Sequence, residues 1–335
     1  MEAAFAIAVV LALVFAFTNG VHDASNAIAT LVATRAARPL PAVLMAAACN
    51  LVGPLVAGAA VADTIGGIVE PRGAGGVGLI SAGLLAATLW NVATWARGLP
   101  SSSGHALVGG LVGAGLVIGG SGAINWGGLD GWHPVGVLGT LLALALSPLL
   151  GAAAALLAIR GLRTVAAGIT RRRRGAVQGT QWALSAALAL GHGANVAQKA
   201  VGVTAALLLA DGRTTGLAAP TWAVAACALA VTAGTTLGGW RIVGTVGRGL
   251  YRLRPVDAVA SQGASAGVIM ACSLMGAPAS TSQVVAASVV GVGGGRRRWH
   301  HVKWATVGQM VLAWLVTMPA TAALAAVLAL VWGAG

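Results

Sequence analysis

Asn19, Gly20, His22, Asp23, Ser25 and Asn26 fall within Phe17 to Thr30, FTNGVHDASNAIAT, in the middle of an otherwise apolar N-terminal segment. An ionised aspartate at the centre of a membrane-spanning helix costs roughly 2.5–3.5 kcal/mol. Function would offset that cost. A carboxylate with amide and hydroxyl neighbours, beside a glycine that lets the backbone unwind, is what a transporter uses to hold a polar solute. The competing reading is a satisfied polar contact between helices.

A second copy weighs against that competitor. Gly20-Val21-His22-Asp23-Ala24-Ser25-Asn26 aligns with Gly193-Ala194-Asn195-Val196-Ala197-Gln198-Lys199, 173 residues later. The stretch Gly98 to Gly109 aligns with Gly276 to Ala287, 178 residues later. Each of these carries Gly, Pro and hydroxyl residues in order: Pro100 with Ser101, Ser102 and Ser103, then Pro278 with Ser280, Thr281 and Ser282. Proline suits the first turn of a helix and lacks an N–H, so each element should end one helix and start another. The new N-terminus, with unpaired N–H groups and a positive dipole end, is an anion site. Ordinary N-capping explains a lone serine cluster; pairing with a polar cluster in the same half favours a substrate site.

The elements that must position these groups follow from composition. With 58% hydrophobic and 8% charged residues, the 335-residue chain has too few charges to cover a soluble globule, and its apolar length suffices for about ten spans of ~20 residues. Apolar runs lie near 3–34, 40–62, 79–97, 105–121 and 134–159, then 181–210, 219–240, 257–276, 279–294 and 304–332. The expected fold is an all-α polytopic membrane protein of two inverted-topology repeats, about five helical segments each, with discontinuous helices or re-entrant hairpins meeting at the midplane. The repeats span 1–160 and 180–335, joined by a basic cytoplasmic linker at 161–179. Residues 79–121 either cross fully or form a re-entrant hairpin.

Charge sets the expected orientation. One side collects Arg35, Arg38, Arg160, Arg163, Arg171 to Arg174, Arg241, Arg248, Arg252, Arg254, Arg296 to Arg298 and Lys303, the other only Arg72 and Arg213. Positive residues stay cytoplasmic, which puts both termini outside a cell membrane. The net charge of +13 is thereby explained without a nucleic-acid partner. Glu2 and the lack of a basic n-region argue against a cleaved signal. Cys49, Cys227 and Cys272 lie unpaired in apolar runs and read as packing residues. His22 beside Asp23 is a candidate proton carrier or a fixed hydrogen-bonding group, whereas His105 and His192 read as helix-end donors.

At these motifs the sequence resembles the PiT family of inorganic phosphate transporters, whose repeats each carry a G-x-N-D type element and a later P-x-S-S/T-S/T-H element. The resemblance extends to RIVGTVGRGLYRLRPVDA at 241–258 and VLAWLVTMPA at 311–320. It implies alternating-access uptake of phosphate with H⁺, Na⁺ or as a divalent-metal complex, no cofactor, and a homodimer in membrane lipid. Ser102, Ser103, Gly104, Ser280, Thr281, Ser282 and Lys199 match phosphate-facing positions, and Asn19, Asp23, Asn26, Asn195 and Gln198 match coupling-cation and site-shaping positions. No metal is expected beyond Na⁺ at Asp23. The sequence departs from the pattern at Val196, where the family has its second Asp, at His22 for Asn, at Gly104 for a hydroxyl residue and at Gln283 for His.

Three rivals share some of these features. A permease for another oxyanion, such as sulfate, gains from the departures at Val196 and Gln283. A passive anion channel would ignore the cation gradient. A membrane enzyme acting on a phosphate ester would need a nucleophile or metal cluster near a membrane face, and no such spacing is present, so no enzyme activity is expected.

Overall fold

The structure, a computed structural model, describes residues 2–70, 73–130, 133–166 and 174–333. Arg72 and Arg171 to Arg173 lie outside the described residues. The chain is helical almost throughout. In the first half come α1 (Glu2–Ala33), α2 (Pro39–Val56), α3 (Ala60–Gly66), α4 (Gly73–Ala96), α5 (Ser103–Ile118) and α6 (Gly136–Ala166). The second half repeats the series with α7 (Arg174–Ala210), α8 (Thr221–Thr236), α9 (Trp240–Arg248), α10 (Pro255–Leu274), α11 (Thr281–Gly295) and α12 (Trp304–Gly333). A short antiparallel pair, β1 (Gly128–Asp130) with β2 (His133–Val135), joins α5 to α6. Among the described residues six helices are long and apolar enough to cross a membrane, and α8 with α9 passes the same test only as a pair, bent by 73°.

The two repeats run in opposite directions. Glu2 at the start of α1 pairs with Arg213 just beyond the end of α7, at 2.8 Å. At the other end, Gln178 near the start of α7 donates to the Ala36 carbonyl just beyond α1, at 2.6 Å. Equivalent helices are therefore antiparallel, which is what an inverted repeat means in three dimensions. Two faces result, named here the Glu2 face and the Arg35 face.

Helices of opposite halves interlock. Helix α1 packs along α8 and α9 while α7 packs along α2 and α3; likewise α5 lies on α12 and α11 on α6. In membranes such contacts depend on small residues that let backbones approach. A Cβ on Gly20 would meet the Val231 carbonyl at 2.1 Å, and one on Gly193 would meet the Asn50 backbone at 2.5 Å. The expectation that Gly20 unwinds its helix is therefore corrected: α1 is continuous across it, and the glycine serves close packing.

The breaks occur elsewhere, at four related places. Helix α2 gives way to α3 at Gly58 and α8 to α9 at Gly238, both with positive φ. Helix α4 ends where Gly98 takes φ +66° and α10 where Gly276 takes φ +70°. In both hairpins the residue after this glycine bonds back five positions, Leu99 to Thr94 at 3.0 Å and Ala277 to Cys272 at 2.8 Å. That is a Schellman end, which glycine permits, and the proline that follows prevents continuation.

Residues 79–121 form a hairpin whose tip stops beside Asp23, inside α1, as expected of a re-entrant element. Although α4 alone is long enough to span, its start lies beside the end of α5, with Gly75 and Gly78 against Ile118. Its base sits at the Glu2 face, where Asn125 donates to the Gly67 carbonyl at 3.1 Å. The matching hairpin of α10 and α11 has its base at the Arg35 face, closed by an ion pair between the buried Asp257 and Arg296. Arg241 and Arg248, expected in a loop, belong to α9. Exposed Leu149 and Leu157 of α6 and Leu315 and Val331 of α12 form outward apolar faces suited to lipid.

Candidate functional site

The two hairpin tips enter from opposite faces and meet at Asp23. The Ser282 hydroxyl donates to Asp23 Oδ1 at 2.9 Å, and the Ser103 hydroxyl to Oδ2 at the longer distance of 3.5 Å. Asn26, one turn on, donates to Thr281 Oγ1 at 3.4 Å and to Ser282 Oγ at 3.3 Å. Ser103 and Thr281 are the first residues of α5 and α11. The Asp23 carboxylate thus stands where two helix N-termini and their hydroxyls converge, as an anion should.

Histidines bracket the carboxylate. His22 Nδ1 lies 2.9 Å from Asp23 Oδ1, and its Nε2 lies 3.2 Å from Ser101 Oγ. Across the site His192 Nε2 is 3.9 Å from Asp23 Oδ2, while its Nδ1 is 3.1 Å from Asn50 Oδ1. Asn50 in turn donates to Thr235 at 2.9 Å. All of these side chains are buried, Asp23 to 1% exposure. The site is closed to water from either side.

Lys199 completes the group. Its ammonium donates to the Ala279 carbonyl in the second tip at 2.8 Å and is within coulombic reach of Asp23. It faces the first tip as well, since a Cβ on Gly104 would stand 3.5 Å from Nζ. Buried and provided with one carbonyl partner, the charge needs an anion nearby.

Other expected site residues do different things. Ser102 is an ordinary N-cap, accepting from His105 N at 3.3 Å and lying 2.8 Å from His105 Nδ1. The equivalent Ser280 has a buried hydroxyl with no protein partner. Asn195 ties α7 to its own hairpin, donating to Ser273 at 3.2 Å and the Ala277 carbonyl at 3.4 Å. Gln198 braces the α2–α3 break, donating to Gly58 O at 2.7 Å and accepting from Val61 N at 2.9 Å. Neither reaches the carboxylate. Asn19 accepts from Asn91 of α4 at 2.7 Å, one turn from the site.

Sequence reasoning missed the two threonines that latch the tips. Thr64 of α3 donates to the Gly276 carbonyl at 2.8 Å, and Thr245 of α9 donates to the Gly98 carbonyl at 3.0 Å. Each short helix holds the tip of the opposite repeat. The signal was present as hydroxyl residues following two equivalent breaks.

This geometry has relatives. The chain matches the model of the family described as "Phosphate transporter family" twice, over residues 19–178 and 166–325. A protein of Rhizobium meliloti (strain 1021) named "Probable low-affinity inorganic phosphate transporter" is 40% identical over 324 residues, covering 95% of this chain and 93% of that one. A protein of the same name from Bacillus subtilis (strain 168) is 36% identical over 321 residues, with 95% and 94% covered. The solved structure described as "The sodium-dependent phosphate transporter" matches with TM-score 0.84 over 99% of each chain at 23% identity, a likeness of fold.

Proposed function

Because the chain belongs to the phosphate transporter family, we propose that it carries inorganic phosphate inward across a cell membrane by symport with a cation, H⁺ or Na⁺. It acts as a transporter and not as an enzyme. The observation that carries the mechanism is the convergence of both tips on Asp23. The carboxylate and phosphate compete for the same donors: Ser103, Ser282 and the N–H groups behind them, with Thr281 beside them on Asn26.

Binding order follows. A cation or proton at Asp23 neutralises the carboxylate and frees the hydroxyls, which turn to phosphate; Lys199 supplies fixed positive charge beside it. Asn26 and Asn19 shape the cation's surroundings, and His22, held between Asp23 and Ser101, is placed to receive or pass a proton. Phosphate moving inward against ~100 mV costs about 2.3 kcal/mol per negative charge, so at least one accompanying cation is needed.

The latches supply alternation. Thr64 with Gly276 closes the Glu2 face, and Thr245 with Gly98 closes the Arg35 face. Both contacts are made here, and releasing one at a time opens each face in turn. The basic residues at the Arg35 face support that face as cytoplasmic and both termini as external.

Radiolabelled phosphate uptake into proteoliposomes, with Na⁺ and H⁺ gradients imposed separately and sulfate as competitor, tests the proposal. Uptake that follows one cation gradient and resists excess sulfate is expected. Uptake indifferent to both gradients would indicate a channel, and full inhibition by sulfate a general oxyanion permease.

A further inference from the structure

The two halves of the site are not chemically equivalent, and the differences point one way. The repeat offset of 173 residues pairs Asp23 with Val196 and Asn26 with Lys199, while the hairpin offset of 178 pairs Ser282 with Gly104. On one side of the pseudo-twofold axis stand a carboxylate, an amide and a hydroxyl in mutual contact: Ser282 Oγ lies 2.9 Å from Asp23 Oδ1 and 3.3 Å from Asn26 Nδ2. At the related place stand a valine, an ammonium and no side chain at all.

The ammonium fills the space that the missing groups leave. Lys199 Nζ would be 3.5 Å from a Cβ at Gly104, close to where the counterpart hydroxyl would project. Val196 is fully buried among apolar residues, beside Ala197 and Ala200 in the main core cluster, so it offers no ligand to a cation. A second mobile cation at this place would meet a fixed positive charge and no carboxylate from α7. Coulomb repulsion at such a distance is severe in a buried site.

We infer that Lys199 takes, in the second repeat, the place that a coupling cation takes at Asp23 in the first, leaving this chain a single mobile cation, bound at Asp23, per phosphate. The inference rests on the phosphate symport reading above. Lys199 presents its charge to phosphate in every cycle but does not leave with it. With phosphate carried as its monovalent anion, one monovalent cation balances it, so the transported pair is electrically neutral and uptake is insensitive to voltage.

The test uses the full-length chain in proteoliposomes, with phosphate uptake titrated against Na⁺ at fixed pH and against pH without Na⁺. For the wild type, a cation order of about one and no response to an inside-negative potential are expected under electroneutral symport. The V196D/K199N double variant, which recreates the carboxylate and amide of α1, should gain a second cation: an order of about two and stimulation by inside-negative voltage. A wild-type order of two, or a double variant whose order stays at one, would overturn the inference.

Should the double variant fail to insert, equilibrium binding of labelled phosphate to the purified protein decides. Lys199→Gln should weaken phosphate binding about ten-fold or more while Lys199→Arg retains most of it. Equal binding by wild type and Lys199→Gln would overturn the tethered-charge role alone. No phosphate binding by the wild type would overturn the transport reading beneath it.

Discussion

Ser282 donates a 2.9 Å hydrogen bond to Asp23 across 259 residues of chain, tying the middle of the first helix to a hairpin tip of the opposite repeat. Ser103 reaches the same carboxylate from its own hairpin at 3.5 Å. Two donors of unequal length should contribute unequally. Ser282→Ala removes a short bond to a charged group and should weaken phosphate affinity about ten-fold or more, with a smaller effect for Ser103→Ala. Half-saturation concentrations for uptake compare the two; equal effects would argue against the asymmetry.

The capping serine offers a contrast. Ser102 is occupied with His105, so Ser102→Ala should cost about 1 kcal/mol of hairpin stability and leave phosphate affinity close to wild type. Thermal melting in detergent reads the first quantity and uptake the second.

The latches make a prediction about access. Thr64→Val breaks the bond to Gly276 and should bias the protein open at the Glu2 face; Thr245→Val breaks the bond to Gly98 and should bias it open at the Arg35 face. Membrane-impermeant thiol reagents applied to a cysteine at Ser280, from either side of oriented vesicles, should label the two variants from opposite sides. Labelling from the same side in both would refute alternate gating by these contacts.

Close packing sets the tolerance to added methyl groups. A Cβ on Gly113 would lie 2.1 Å from the Ala322 carbonyl, whereas one on Gly244 meets nothing within 4 Å. Gly113→Ala should force α5 from α12 and destabilise by about 1–3 kcal/mol or more. Gly244→Ala should be tolerated, with up to ~1 kcal/mol gained from helix propensity.

Much of this site was legible before the structure because its signals are local and repeated. Pro100 and Pro278, each after a glycine and before hydroxyl residues, mark the broken ends, and Asp23 stands out because charge is costly in an apolar run. What was not legible depends on tertiary partners. Gln198 sits in a polar motif yet serves the α2–α3 break, because the inverted repeat sets α7 beside α2 and not beside a second carboxylate. Gly20 in a polar motif suggests unwinding, but its neighbour across the interface is a backbone carbonyl of α8. Thr64, Thr245 and the Asp257–Arg296 closure join segments far apart in sequence, and although hydroxyl residues follow both breaks, no local pattern announces their partners. The α8–α9 break was hidden for another reason: Arg241 and Arg248 read as loop charges, although they lie on an amphipathic helix.

The central claim is that the Asp23 carboxylate and phosphate compete for the same two helix ends, so that neutralising the carboxylate admits the anion. Labelled-phosphate binding to purified Asp23→Asn, with and without Na⁺ and across pH, tests this most directly. Asp23→Asn should bind phosphate at least as tightly as cation-loaded wild type and no longer need the cation, while losing cation-driven uptake. Binding by Asp23→Asn that keeps the wild-type cation requirement would contradict it.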